Sequence, residues 1–331
     1  GRLTMKLTST ILATAAASLA VFSVSTAPAV SAETTIRGAS CFPIGSPPGR
    51  PFEAVVKKIN AAGKGIINVK MIGGAPAIGS HLTLTQKMSK GAYDMVACTE
   101  SYFGNVMPES PVLRLSTKSY HELRQNGGIA YVEKLLNKKN IHYIARHWDY
   151  GPFHLFLSKP ISKPDLKGLH LRVSPVYTSF FRSLGATTQS SSMPQIYTLM
   201  ENGTVQGYGW PGSGWVPPWI KVTKFQVNPG FYASSLHTLI NLKTWKKLSP
   251  QAQAVITKVG MEAEKSREPG SPGIMAGIKK ETSFRTSKGM KIIEFKGADR
   301  KKWLDAAYGA GWKEVLKRSP KHGAALMKLF K

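Results

Sequence analysis

Arg172 lies near the end of a short strand-like run, His170 to Val173, and Trp210 stands just past another, Thr204 to Gly207. Between them the sequence reads as an amphipathic helix from about Val176, a polar connector and a second helix around Gln195 to Asn202. In such a strand–helix alternation, ligands sit beyond the carboxyl ends of the strands. The two runs therefore bring a fixed cation and a large aromatic face to one cleft. A guanidinium is planar, keeps its charge and offers paired N–H donors that match the two oxygens of a carboxylate. On composition alone Arg172 is equally a surface residue or an anchor for an anion.

Signatures of catalysis are mostly absent. Gly212-Ser213-Gly214 lacks the glycine spacing of a nucleophile elbow and reads as a flexible turn after Trp210-Pro211. The eight histidines include no His-Glu-x-x-His; His142 and His147 are five apart on a strand and its following loop, so no metal site is expected. Gly73-Gly74 lacks the residues of a phosphate loop or a dinucleotide fingerprint, and no cofactor is expected.

The elements around these residues form an α/β chain. Thr35 to Ala39, Ile66 to Ile72 and Tyr93 to Ala97 read as strands, separated by helices at Pro51 to Ala62 and His81 to Lys90. The first helix carries Phe52, Val55, Val56 and Ile59 on one face. A β-α-β-α-β start implies a mainly parallel sheet with right-handed crossovers. A helix at Gly127 to Asn137 and a strand at Ile141 to Arg146 follow. Phe153 to Leu157 then reads as a strand crossing into a second lobe, and His237 to Asn241 as the strand that returns. Pro250 to Arg267 and Ile274 to Arg285 read as helices, Lys291 to Phe295 as a strand, and Arg300 to Phe330 as two helices parted near Ser319-Pro320.

The first residues look like an export signal: Arg2 and Lys6, an apolar run from Ile11 to Val24, and the small residues Val30-Ser31-Ala32 before a cleavage point after Ala32. That run is too short and too rich in Ala and Ser for a good membrane span. Arg2 and Lys6 would leave with it, lowering the formal charge from +27 to +25. The basic residues are scattered (Lys57-Lys58, Lys138-Lys139, Lys279-Lys280), which argues for a solvated surface that steers anions and against nucleic acid as a partner. Cys41 and Cys98 each follow one of the first strands, in an oxidising compartment. Parallel neighbouring strands rarely give disulfide geometry, so two buried free thiols are expected over a Cys41–Cys98 bond.

From about Thr34 onward the chain resembles the solute-binding proteins of tripartite ATP-independent periplasmic (TRAP) transporters, the DctP family. Asp165-Leu166-Lys167-Gly168-Leu169-His170-Leu171-Arg172-Val173 matches that family's turn and strand closely, and Val205-Gln206-Gly207-Tyr208-Gly209-Trp210-Pro211 matches its later strand end in Val, Gly and Pro. The resemblance implies a two-lobed, type II-like periplasmic binding protein, each lobe a mainly parallel sheet flanked by helices, with hinge strands between. Residues 33–153 with 237–283 would form lobe I, and 154–236 with 284–331 lobe II. It also implies one long helix spanning both lobes near residue 268, where Glu268-Pro269-Gly270-Ser271-Pro272-Gly273 should instead break or kink any helix.

By the same resemblance Arg172 holds the solute's carboxylate, and Glu100 is an acidic pocket residue. Trp210 replaces an asparagine, Phe153 an arginine found in relatives that take sialic acid, and Met193 a phenylalanine of those relatives. Phe42, His81, Tyr102, Trp148 and Tyr208 are further candidates for lining the pocket. Polar partners exchanged for aromatic and aliphatic ones favour an aromatic or hydrophobic monocarboxylate, or a 2-oxo acid, because a buried polar group left unpaired costs about 1–3 kcal/mol. A dicarboxylate would need a second cation, Arg146 or Arg182, in the cleft. The expected molecule is a monomeric, non-catalytic periplasmic receptor that delivers its solute to the small and large TRAP membrane subunits. The alternatives are a co-receptor for a membrane kinase and a secreted enzyme.

Overall fold

The computed structural model describes residues 1–4 and 32–331. The apolar run and the residues just before the expected cleavage point lie outside the described residues. Glu33–Lys331 form one compact unit. Nine strands join in a single sheet: β1 (Thr34–Ser40), β2 (Ile67–Gly74), β3 (Met95–Cys98), β4 (Ile141–Leu157), β5 (His170–Val173), β6 (Thr187–Ser190), β7 (Gly207–Pro211), β8 (Phe225–Asn241) and β9 (Lys291–Glu294). Their order is β2-β1-β3-β8-β4-β7-β5-β6, with β9 beside β8.

Each end of the sheet is parallel, β2-β1-β3 on one side and β7-β5-β6 on the other. The centre is antiparallel, because β4 and β8 run through both halves. The far half of β8 pairs with β3 from Met95↔Ile240 to Cys98↔His237, while its near half pairs with β9 from Phe225↔Lys291 to Asn228↔Glu294. This is a two-lobed α/β architecture with two shared crossing strands.

Among the described residues twelve α-helices cover the sheet: α1 (Arg50–Ala62), α2 (Leu84–Ser89), α3 (Val112–Leu115), α4 (Tyr120–Gln125), α5 (Gly128–Asn137), α6 (Thr178–Ser183), α7 (Ile196–Glu201), α8 (Leu242–Lys247), α9 (Pro250–Lys265), α10 (Pro272–Ser287), α11 (Gly297–Arg318) and α12 (Gly323–Phe330). Local chemistry explains their placement. In α1, Pro51 starts the first turn, and Phe52, Val55, Val56 and Ile59 are buried. Its Asn60 amide clips β2 by donating to Val69 O (3.0 Å) and accepting from Val69 N (2.7 Å). Ser119 and Glu122 form a reciprocal capping box on α4.

Two helices, α9 and α10, stand where the family resemblance implied one long helix, and residues 266–271, which include most of the expected Glu268–Gly273 break, lie between them. Pro272 takes the first position of α10, where its missing N–H costs nothing. The longest helix among the described residues is α11, 22 residues. Near its start Trp303 donates to Pro229 O (2.9 Å) and packs on Phe180 at 4.8 Å. At its end Arg318 donates to Gly104 O (2.9 Å). Beyond it, Lys118 and Asn126 both donate to Leu329 O (2.9 Å each), and the Tyr131 hydroxyl meets His322 (3.0 Å). The tail from 284 to 331 thus begins on the helices after β5 and ends on those after β3.

Candidate functional site

Four strand ends and the two crossing strands converge on one cavity. Phe42 follows β1, Thr99, Ser101 and Tyr102 follow β3, Arg172 and Ser174 end β5, and Trp210, Pro211 and Ser213 end β7. Tyr150 and Phe153 come from β4 and Ser234 and Leu236 from β8, while Pro48, Tyr177 and Gly214 complete the lining. The enclosed space is small, about 30 Å³.

Arg172 is the charge at its centre and is 0 % exposed. Its Nε donates to the Ser191 hydroxyl (3.3 Å), Nη2 to Ser191 O, and Nη1 reaches the Tyr177 hydroxyl at the limit of bonding (3.5 Å). No carboxylate pairs with it among the described residues. A fully buried cation without a counter-ion is costly. Its neighbours register the charge: burial pushes the Tyr102 hydroxyl up to about 12, with Arg172 opposing that shift, and burial with Arg172 lowers His81 to about 4.

The other buried arginines are engaged elsewhere. Arg146 pairs with Asp149 (3.3 Å) and Glu268 (3.2 Å) and lies over the Tyr120 ring, and Arg285 bonds Gln226, Gly212 and Thr282. Arg114 donates to Val176 O and lies over Tyr232. Arg182 is exposed and bonds the Thr188 hydroxyl (2.8 Å). Neither Arg146 nor Arg182 lines the cavity.

Of the ten candidate pocket residues, Arg172, Trp210, Phe153, Phe42 and Tyr102 surround the cavity. His81 and Met193 line a smaller pocket that shares Phe42 and Tyr102 with it. Three lie elsewhere. Glu100 is 1 % exposed and turns away from the cavity, its carboxylate held by the Thr99 hydroxyl (3.1 Å) and His237 Nε2 (3.2 Å). Tyr208 sits two residues further from the strand end than Trp210, so its ring stacks on Phe156 and its hydroxyl meets Thr223 (2.9 Å) in the core. Trp148 lines a separate groove, with the Arg267 guanidinium 3.5 Å from its ring centre.

Trp210 lies within β7, paired with His154 of β4, rather than beyond the strand. Its indole N–H donates to Gly214 O (2.9 Å) and its ring packs edge-on against Trp219 at 4.9 Å. The ring can offer a ligand its face but not its donor.

The cavity's hydroxyls carry no distinguishing sequence pattern. Ser174 Oγ is buried without a partner among the described residues, and Ser101 and Ser234 also line the cavity. Tyr177, whose hydroxyl donates to Gly209 O (2.7 Å), and Ser191 brace the arginine. Only the Ser190-Ser191-Ser192 run hinted at the latter. Gly209 is required by this brace, since an added Cβ would lie 2.5 Å from the Tyr177 ring. Gly209→Ala is therefore expected to cost about 1–3 kcal/mol in a denaturant melt through overpacking.

Cys41 and Cys98 form a disulfide, contrary to the free-thiol expectation. The ladder between β1 and β3 ends at Ser40↔Ala97, and Cys41 N still bonds Ala97 O (2.9 Å). The chain turns off the sheet after Ser40, so Cys41 is free of strand geometry and its Cα lies 5.0 Å from that of Cys98. Among the described residues no group of three or more His, Cys, Asp or Glu could hold a metal, and no helix is long and apolar enough to cross a membrane.

A two-lobed α/β fold whose strand ends close on an uncompensated buried cation defines the architecture of a ligand receptor. The chain belongs to the bacterial extracellular solute-binding proteins, family 7 (DctP), whose model matches residues 42–318. It is 25% identical over 238 residues to a solute-binding protein of Roseobacter denitrificans, covering 67% of this chain and 70% of that one. It is also 25% identical over 184 residues to a monocarboxylate 2-oxoacid-binding periplasmic protein of Nostoc, covering about half of each chain (50% and 49%). Its fold resembles a TRAP periplasmic solute-binding protein of Desulfovibrio salexigens with bound orotic acid (TM-score 0.76, 21% identity, 89% of this chain and 97% of that one).

Proposed function

We propose that the protein is a periplasmic receptor for a small monocarboxylate with a planar or apolar body, favouring 2-oxo acids, which it delivers to TRAP membrane subunits without chemical change. The observation that carries this reading is Arg172, fully buried and without a carboxylate partner among the described residues, in a cavity walled by Phe153, Tyr177 and Trp210. A solute carboxylate supplies the missing counter-ion as a charge-assisted pair. The unpartnered Ser174 hydroxyl favours a second acceptor on the solute, as a 2-oxo group provides, over a purely hydrocarbon acid. The Nostoc relative's name points the same way.

Closure is the working step. Arg172 and Trp210 come from one half of the sheet and Phe42, Thr99 and Tyr102 from the other, so a bound solute bridges both and stabilises the closed state by its differential affinity. Lobe I would comprise residues 33–153 with 237–283 and lobe II 154–236 with 284–331, except that the bonds from Lys118 and Asn126 to Leu329 O favour counting α12 with the first. Export to the periplasm as a monomer, after removal of residues 1–32, belongs to the same proposal.

A thermal-shift panel tests it: pyruvate, phenylpyruvate and orotate against succinate, malate and glucuronate. The 2-oxo monocarboxylates should give the largest rise, since a ligand at a hundred times its Kd adds about 2.7 kcal/mol. A dicarboxylate as the strongest stabiliser would refute the reading. Trp210→Asn should weaken phenylpyruvate about tenfold or more by calorimetry, from lost burial and stacking, and abolish any ligand-induced change in Trp210 fluorescence.

A further inference from the structure

The aromatic wall is held from outside the cavity. Gly212 to Trp215 form the turn after β7, and Ser213 and Gly214 line the cavity. Glu281 of α10 accepts from two successive amides of that turn, Gly214 N (2.8 Å) and Trp215 N (2.9 Å), one on each carboxylate oxygen. The carbonyl of the same Gly214 accepts the Trp210 indole N–H. Arg285, one helical turn on and 3.7 Å from Glu281, donates to Gly212 O (3.1 Å). Gly214 itself has φ +72, and an added Cβ would meet the Tyr150 ring at 2.7 Å, so the turn has little freedom of its own.

The other end of this segment is tied to the opposite half. Glu268, just ahead of α10, accepts from Tyr120 N (2.9 Å) and His121 N (3.1 Å) at the start of α4 and pairs with Arg146 (3.2 Å). The 268–285 segment is therefore a strap, fastened by Glu268 to the half that carries β3 and by Glu281 to the turn that sets the tryptophan.

We infer that Glu281 is a positioning residue for solute selectivity: through the Gly214–Trp215 amides it fixes the plane of Trp210 and so favours solutes with a ring to lay against it. This rests on the proposed monocarboxylate reading and deepens it. Removing the carboxylate leaves two amides without their acceptor and lets the turn and the indole move together. Solutes that reach Arg172 but not Trp210 do not sense the change.

The test uses the mature protein with phenylpyruvate and pyruvate as paired probes in calorimetry. Glu281→Gln and Glu281→Ala should weaken phenylpyruvate about tenfold and leave pyruvate within twofold. In a Trp210→Phe background, which lacks the indole donor, Glu281→Gln should add little further loss. Equal loss for both probes, no loss for either, or full additivity with Trp210→Phe would overturn the role. If the unsubstituted protein binds neither probe, the monocarboxylate reading itself fails and this inference with it; if it binds both and selectivity survives Glu281→Gln, only the inference fails.

Discussion

Replacing Arg172 by alanine is expected to abolish measurable solute binding while the fold persists. The guanidinium is the only cation lining the cavity among the described residues. Removing one member of a buried charge pair typically costs about 3–5 kcal/mol, which is at least about a hundredfold in Kd. Arg172→Lys should recover part of the affinity, because a point charge replaces the fork but cannot match both carboxylate oxygens at once. A second consequence separates anchoring from general structural support. In the unliganded protein Arg172 is a buried charge held, among the described residues, by Ser191 and Tyr177. Arg172→Met should therefore match or raise the unliganded melting temperature while eliminating the ligand-induced rise, since apolar side chains of similar volume often replace buried ions at no cost in stability. A solute that binds Arg172→Ala as tightly as the unsubstituted protein would end the anchor role.

Much of the frame was readable in the residues because each element states its own period. Phe52, Val55, Val56 and Ile59 lie on one face of α1, and the His170–Val173 strand has the bounds its sequence gives. The long crossing strands were harder. Ile141 to Arg146 and Phe153 to Leu157 read as separate strands, yet in β4 the chain continues through irregular register between Asp149 and Phe153. Of β8 only His237 to Asn241 was expected, whereas the strand begins at Phe225. The irregular register of β4 falls just before its pairing with β7 begins at Phe153, so tertiary pairing carries the strand through a local interruption.

The site divides along similar lines. Arg172 and Trp210 could be placed from strand ends, because a strand terminus fixes which residues reach the crevice. Glu100 could not, because its direction depends on His237, a partner far away in sequence. The serines were invisible for a different reason: Ser174 and Ser234 differ from any loop or strand serine only by the space in front of them. Glu281 belongs to the same class, an ordinary helix glutamate until the 213–215 turn is seen to lie against it.

Unfolded but unreduced protein should show no free thiol, and replacing both Cys41 and Cys98 by alanine should lower stability by about 4 kcal/mol. That magnitude follows from releasing a cross-link of sequence separation 57 in the unfolded chain. The melting temperature should fall by roughly 6–10 °C for a chain of this size. An effect on binding should accompany it. Phe42 and Pro48 follow one half-cystine, and Thr99, Ser101 and Tyr102 follow the other, so the bond ties together the two segments through which the β1–β3 half of the sheet touches a solute. Without it they are held by the Cys41 N to Ala97 O bond and by packing such as Phe42 against Tyr102 at 5.5 Å. Phenylpyruvate should then bind the double variant several-fold more weakly, with the loss mainly in dissociation rate. Both sulfurs are buried, Cys41 2% and Cys98 0% exposed, so a reductant should act on the native protein only as fast as it opens. Equal melting temperatures with and without reductant after complete reduction would refute the stabilising role, and an unchanged dissociation rate in the double variant would refute the brace.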